Sequence, residues 1–310
     1  MSQLLIKKVS RMNETIQLGF ILTTKCNLAC RYCFYENGTL NRHSQYLDVK
    51  KAINFIDKLS KYKTISIVIL SGGEPLLYHA LSNFLTEIKK RVSQIQLMTN
   101  GTLINSHHFS PMMEDLLDEI HISLDSITSD YHEKHRGKHQ RTIEGIQTIA
   151  ASKVKKLTLC TTLSPNNLDQ IQPLIEFSQT QGCQIDFHLL EDSADDYNWE
   201  KHKLEYLKTI KKSLKSWSGE KGSIAYMRYA ILLKSLKEKH WKPKVCQHFN
   251  NTLVVDYDGT VYPCFHNKAK LGSIHENTVE EILDNKSKQA KKYYNHQMQC
   301  YSLKCSALIA

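Results

Sequence analysis

The chain has 310 residues, 41% of them hydrophobic and 23% charged, with nine cysteines and a formal net charge of +10. That length supplies a large core and about two domains, and no apolar run approaches the roughly 18–20 residues of a membrane span. The opening Met1–Lys8 is too short an apolar stretch for a signal peptide, so a cytoplasmic protein is expected, where paired disulfides are rare and clustered cysteines more often bind metal.

Residues 1–16 read as a lead-in strand with Leu4, Leu5, Ile6 and Val9. Gln17–Thr24 reads as a buried strand feeding the run Cys26-Asn27-Leu28-Ala29-Cys30-Arg31-Tyr32-Cys33-Phe34. A helix over Val49–Leu59 places Ala52, Ile53, Phe55, Ile56 and Leu59 on one face. The second strand, Thr64–Leu70, ends in Ser71-Gly72-Gly73-Glu74-Pro75. A helix through Leu81–Val92 leads to the third strand, Ile95–Thr99, and then Asn100-Gly101. Leu116 and Leu117 belong to a helix, Glu119–Asp125 to the fourth strand, and Thr142–Ala151 to the next helix. The fifth strand is Lys156–Leu163, followed by a helix over Leu168–Thr180 and a sixth strand over Gln184–Leu190.

Six strands alternating with helices predict an α/β protein with a parallel sheet. The polar and glycine-rich punctuation sits at the strands' C-terminal ends, where (β/α) barrels build their active sites. The alternation stops near residue 192, which fits a partial (β/α)6 TIM-like barrel rather than a closed eight-fold one.

Asp192–Asp196 is an acidic break. Two amphipathic helices follow, marked by Leu204, Leu207, Ile210, Leu214 and Trp217, then by Ile231, Leu232 and Leu236. From Lys201 to Lys244 the chain carries twelve Lys and one Arg against three Glu, so this segment holds the whole net charge. Such a run is most simply a solvated pair of helices; an acidic peptide, a phosphorylated ligand or RNA would also find complementary charge there. Beyond Pro243, Asp258-Gly259 lies between two alternating runs and predicts a β-hairpin. A last helix over Val279–Leu283 follows Asn277-Thr278 as its cap. The expected division is a barrel over 1–198, a basic helical connector over 199–243 and a small hairpin-and-helix domain over 244–310. Nothing repeats internally.

Cys26, Cys30 and Cys33 are spaced C-x3-C-x2-C. Thiolates this close wrap one metal centre, and iron–sulfur clusters are held by short-spaced cysteines of this kind, although zinc sites imitate the spacing. A cubane takes four thiolates, so three leave one iron open to a substrate or cofactor. Four cysteines, Cys246, Cys264, Cys300 and Cys305, lie in the C-terminal segment. Cys160 and Cys183 fit small buried hydrophobes. Cys160, on the fifth strand, would serve as a hydrogen donor if it faces the barrel interior. His188 is either a core histidine or an acid/base group of the cavity.

Together these residues resemble the radical S-adenosylmethionine enzymes. The cysteine loop with Tyr32, the GGEP-like Gly72-Gly73-Glu74-Pro75, Thr99-Asn100-Gly101 and Ser123-Leu124-Asp125 match that family's motifs in order. The resemblance implies a [4Fe–4S] cluster on Cys26, Cys30 and Cys33 whose open iron chelates S-adenosylmethionine and cleaves it to a 5′-deoxyadenosyl radical. It implies cofactor contacts from Gly72, Gly73 and Glu74 at the methionine amino group. Ser123 and Asp125 would meet the ribose or methionine end, and Arg136 the methionine carboxylate, unless it is a surface loop arginine. Thr99 and Asn100 are either cofactor contacts or a capping turn. The C-terminal segment resembles the twitch module related to SPASM domains, through Cys246-x12-Gly259-x4-Cys264, Leu271–Ile274 and Val279–Leu283. That implies an auxiliary [4Fe–4S] cluster on Cys246, Cys264, Cys300 and Cys305. The last pair departs from the usual C-x2-C, so a zinc site or one non-cysteine ligand stays open.

The reaction then begins with hydrogen abstraction from a C–H bond. Oxidation of the substrate radical by the auxiliary cluster gives dehydrogenation or cross-linking; quenching by a cysteine gives epimerisation. The expected substrate is a ribosomally made peptide, with a sugar, aminocyclitol or nucleoside as the alternative, and a one-electron donor such as flavodoxin or ferredoxin as partner. No membrane or nucleic-acid partner is expected. Molybdenum-cofactor cyclases share the two-cluster layout but are expected to resemble the chain poorly, because their C-terminal glycine tail is missing. Sulfatase-maturing enzymes need SPASM cysteines that are absent. A non-catalytic iron–sulfur or zinc protein that kept the fold is a third reading, opposed by the intact GGEP and Ser-Leu-Asp motifs.

Overall fold

In a computed structural model the described residues are 15–33, 44–190, 199, 202–215, 217, 219, 224–237, 247–267 and 269–294. The lead-in strand up to residue 14, the acidic break, Cys246, Cys300 and Cys305 lie outside them.

Six parallel strands lie side by side in chain order: β1 (Thr15–Ile21), β2 (Thr64–Ser71), β3 (Ile95–Thr99), β4 (Glu119–Ser123), β5 (Lys156–Leu163) and β6 (Gln184–Leu189). Parallel neighbours need crossovers, and helices supply them. These are α1 (Val49–Leu59), α2 (Leu81–Lys89), α3 (Pro111–Leu116), α4 (Ser129–His135), α5 (His139–Ala150) and α6 (Ile171–Thr180). Asp48 caps α1 by accepting from the Lys51 N–H at 3.0 Å. The expected α1 is found over its full length; α2 stops three residues early, and α4 was not expected.

Side chains on a strand alternate between faces, and here the two faces differ sharply. One carries Phe20, Leu70, Leu97, Ile120, Ile122, Leu159 and Phe187, all buried in the core with the helices. Burial of one such side chain contributes roughly 1.5–3 kcal/mol. The register puts Gly19, Ile69, Gln96, Glu119 and Lys156 in one row across the other face. A second row on that face runs Ser71, Met98, His121, Thr158 and Gln184, with Ser123, Cys160 and Asp186 beyond it. Helices cover the apolar face, so this polar one is the inside of the partial barrel.

Two further helices, α7 (Lys203–Ser213) and α8 (Ile224–Lys237), pack on each other, and α7 also packs on α6. Ile210 and Leu214 are fully buried there while Lys208, Lys211 and Lys212 are exposed. After α9 (Gln247–Asn251) the chain forms the antiparallel pair β7 (Thr252–Val255) and β8 (Thr260–Tyr262) and the short β9 (Gly272–Ser273). The Asp258-Gly259 turn closes as expected, with Gly259 at φ +81° and the Thr260 N–H on Asp258 Oδ1 at 2.8 Å.

The hairpin does not stand apart from the barrel. β7 pairs in parallel with β1, Gln17 opposite Thr252 and Phe20 opposite Val255, so one nine-stranded sheet runs through both halves of the chain. The last helix, α10 (Val279–Tyr294), is far longer than the expected Val279–Leu283. It opens with a capping box: Thr278 Oγ1 accepts from the Glu281 N–H at 3.2 Å and Glu281 Oε2 from the Thr278 N–H at 3.0 Å. Beyond Leu283 the helix looks solvated in sequence, yet Lys286 is buried, its Nζ donating to the Thr252 carbonyl and lying 5.8 Å from the Phe249 ring centroid. A lysine stem buries apolar length while its head finds an oxygen. Among the described residues no helix is long and apolar enough to cross a membrane.

Candidate active site

The cysteine loop leaves the C-terminal end of β1 and is fixed from three sides. Gly73 N–H donates to Thr23 O at 2.7 Å and Glu74 N–H to Lys25 O at 2.8 Å. A Cβ on Gly73 would stand 2.4 Å from Lys25 O, and one on Gly72 2.8 Å from Thr23 O. The two glycines therefore let the end of β2 lie directly on the backbone that leads into Cys26. The same two glycines are the ones expected at the cofactor's amino group.

Glu74 is fully buried. Its carboxylate accepts from Thr99 Oγ1 at 2.7 Å, Asn100 N–H at 2.9 Å and Leu76 N–H at 3.1 Å. Burial pushes its pKa up and these donors pull it back. It braces β2 against β3. Asn100 continues the link: its Nδ2 donates to Asn27 Oδ1 at 2.9 Å, and its Oδ1 accepts from the Thr102 N–H at 3.0 Å. Asn27 Nδ2 donates to Thr102 Oγ1 at 2.7 Å. Thus Thr99 and Asn100 tie the ends of β2 and β3 to the cysteine loop.

Asp125, fully buried, anchors the third side. Its carboxylate accepts from Tyr32 Oη, from Arg136 Nε and from the Thr162 N–H, the last at 2.7 Å. Arg136 Nη2 also lies 3.3 Å from Thr162 Oγ1, and the guanidinium lies 5.3 Å from the Tyr32 ring centroid. Burial works against the Arg136 charge, and Asp125 more than restores it. Arg136, its side chain 13% exposed, is thus the ion-pair partner of the buried Asp125 and not a surface loop residue. Burial also raises the Tyr32 phenol, with Asp125 adding to it. Ser123 lies opposite Cys160 in the β4–β5 register.

Cys26, Cys30 and Cys33 are all partly buried. Burial pushes Cys26 up to about 11 and raises Cys30; Glu74 and the neighbouring thiols add to the first, while Arg136 eases the second. Crowded, desolvated thiols of this kind ionise only beside a centre that brings its own positive charge. That donor set fits an iron–sulfur cluster with one iron left unligated by the loop. Among the described residues no group of three or more His, Cys, Asp or Glu closes on a single ion. A cubane holds each thiolate at a different iron, so its ligands stand apart. Of the four later cysteines only Cys264 is described: it follows β8, is partly buried, and its Sγ accepts from the Asn267 N–H at 3.2 Å.

Deeper on the inner face lies a group that the sequence did not single out. Cys160 Sγ is 3.3 Å from His121 Nδ1, and His121 Nε2 is 2.9 Å from Glu119 Oε1. Burial opposes both charges, yet Glu119 is held down at about 2, mainly by His121 and then Lys156 and Thr158, and His121 is pushed up to about 10 by Cys160 and Glu119. Burial would raise Cys160, but His121 and His188 bring it down to about 7. Of these residues only Cys160 and His188 drew notice in the sequence. A histidine and a carboxylate two apart on one strand, followed by a cysteine on the next, was the available signal. Cys183 behaves as expected, packed against the core and pushed up to about 11 by burial.

Residues 20–178 match the profile of the Radical SAM superfamily, and residues 246–306 that of the iron-sulfur cluster-binding domain SPASM. In sequence the chain is similar to the probable GTP 3′,8-cyclase of Methanococcus aeolicus, 24% identical over 81% of this chain and 85% of that protein. The poor resemblance to cyclases expected from the missing glycine tail is thus corrected: the identity is spread over 264 residues and does not depend on the tail. In fold it is similar to native anSMEcpe with bound AdoMet and Kp18Cys peptide, with TM-score 0.67, 19% identity and coverage of 90% of this chain and 84% of that one. It is also similar to Streptococcus suis SuiB bound to precursor peptide SuiA, with TM-score 0.65, 15% identity and coverage of 89% and 67%.

Proposed function

The chain belongs to the radical SAM superfamily and carries a C-terminal SPASM iron–sulfur domain, and on that premise we propose that it epimerises a residue in a ribosomally made peptide by hydrogen abstraction and return. The observation that carries this reading is the thiol of Cys160. It sits on the inner face, two residues before Thr162, whose N–H and hydroxyl meet Asp125 and Arg136. At about 3.3 Å per residue the thiol's strand position is about 7 Å below that clamp. A C–H held at the cofactor end is then between the radical source above and a hydrogen donor below.

When bound, S-adenosylmethionine and the three-cysteine cluster supply a 5′-deoxyadenosyl radical, hard chemistry that belongs to the cofactor. The residues of the chain hold and orient. Glu74 and Asn100 fix the loop; the buried Asp125 with Arg136 and Tyr32 forms a charged clamp beside Cys30; the polar inner face receives the substrate. Cys246, Cys264, Cys300 and Cys305 are the ligand set for the auxiliary cluster, in a domain that begins near residue 244. A one-electron donor of the flavodoxin or ferredoxin kind is the expected partner.

Two proteins of similar fold have been crystallised with a peptide bound, which supports a peptide substrate. A nucleotide is the second reading, favoured by the cyclase relatives. A triphosphate needs uncommitted positive charge. Among the described residues at the cofactor end, Arg136 is committed to Asp125, which leaves the exposed Lys25 and Arg31 of the cysteine loop to meet it.

The test is turnover of anaerobically reconstituted protein under strong reductant in D2O. Expected are 5′-deoxyadenosine and a peptide carrying one solvent deuterium at the inverted carbon. Absence of 5′-deoxyadenosine refutes the radical reading for this chain, and undiminished deuterium incorporation by Cys160→Ala refutes the epimerase reading.

A further inference from the structure

A thiol that gives up a hydrogen atom is left as a thiyl radical and must be restored before the next turnover. We infer that Glu119 and His121 form a proton relay that returns Cys160 to its thiol form from the solvent side of the barrel floor. The inference rests on the reading of Cys160 as hydrogen donor.

The geometry is a carboxylate–imidazole–thiol row, joined at the thiol end by a hydrogen bond and at the carboxylate end by a close ion-pair contact. His121 Nδ1 is 3.3 Å from Cys160 Sγ and its Nε2 2.9 Å from Glu119 Oε1. Glu119 is immobilised: Thr158 Oγ1 donates to Oε1 and Gln96 Nε2 to Oε2, both at 2.8 Å. Lys156 Nζ lies 2.8 Å from Oε1, and its side chain is 44% exposed where that of Glu119 is 2% exposed. The row therefore runs from water at the N-terminal end of β5, through Glu119 and His121, to a thiol inside.

The step balances. The substrate carbon radical takes a hydrogen atom from Cys160, forming C–H and breaking S–H. The thiyl radical would take one electron from a reduced iron–sulfur cluster to become a thiolate, and the thiolate one proton from the His121 imidazolium. His121 is reprotonated through the Glu119 and Lys156 end. The charged or titratable groups facing Cys160 are His121 with Glu119 from β4, Lys156 from its own strand, and His188 and Asp186 from β6, the last directly opposite it in register.

The experiment compares wild type, His121→Gln and Glu119→Gln holoenzymes, with iodoacetamide alkylation of Cys160 followed by peptide mass spectrometry across pH. Wild type is expected to react with a midpoint near pH 7, and His121→Gln to fall at least tenfold in rate at that pH. In D2O, His121→Gln is expected to incorporate about one deuterium per enzyme in a single turnover and then slow at least tenfold, with a larger solvent isotope effect than wild type. Glu119→Gln, which keeps the shape, carries the test if the histidine variant does not fold. Unchanged alkylation and unchanged multiple turnover in both variants overturn the relay. Deuterium incorporation that survives Cys160→Ala overturns the donor reading beneath it instead.

Discussion

Replacing Gly73 by Ala should release the cysteine loop from the barrel. The new Cβ would lie 2.4 Å from Lys25 O and 2.8 Å from Lys25 C, both backbone atoms that no rotamer change can move. Reaching even a 3.0 Å contact means shifting that peptide by about 0.6 Å. Such overpacking costs about 1–3 kcal/mol. The shift also strains the bonds from Gly73 N–H to Thr23 O and Glu74 N–H to Lys25 O, together about 2 kcal/mol at roughly 1 kcal/mol each. A loss of about 3–5 kcal/mol follows, concentrated one residue before Cys26. Urea unfolding of the full chain and iron analysis after anaerobic reconstitution would measure it. Gly73→Ala protein unfolding within about 0.5 kcal/mol of wild type, with the same iron content, would refute the reasoning.

Two further outcomes test the buried charges. The carboxyl of Glu119 is held at about 2, below its ordinary value of 4.5, so it stabilises the fold above pH 4.5 and loses that contribution as pH falls toward 2. The shift corresponds to about 3 kcal/mol, and acid unfolding of Glu119→Gln should be correspondingly flatter across that window; an unaltered acid limb argues against it. Asp125→Asn should leave the Arg136 guanidinium buried without its counter-charge and cost about 3–5 kcal/mol by denaturant unfolding, with Asp125→Asn/Arg136→Gln recovering part of the loss; a cost below about 1 kcal/mol would show that the pair is solvated.

Strands and their catalytic ends were legible because the apolar runs of β2, β3, β4 and β6 stop at a glycine, an asparagine or an acid. α4 was missed because Ser129–His135 has no apolar spacing; two of its histidines are nevertheless buried, and burial lowers His132 to about 4. Motif spacing located Glu74 and Asp125 but not what they hold, since Thr99, Asn100, Thr162 and Tyr32 reach them only through strand register. The same holds for Cys160 and His121, 39 residues apart and joined by the pairing of β4 with β5. The longest-range miss is β7 on β1: nothing in Thr252–Val255 says which edge it will extend.

That pairing makes β1 common to both cysteine sets. Its C-terminal end runs into Cys26, its edge carries β7, and Gly19 in its middle receives Phe265, the residue after Cys264. A Cβ at Gly19 would stand 2.4 Å from Phe265 Cζ and 3.0 Å from Cε2. These atoms are the tip of a side chain, so the ring can swing away and the barrel need not give. Gly19→Val should therefore cost little in overall stability while displacing Phe265 and with it Cys264. Reconstituted Gly19→Val is expected to bind about four iron where wild type binds about eight, and still to produce 5′-deoxyadenosine under strong reductant. A full iron complement would show that Cys264 does not depend on this contact. Loss of all iron would show that β1 cannot absorb the change without losing Cys26 as well.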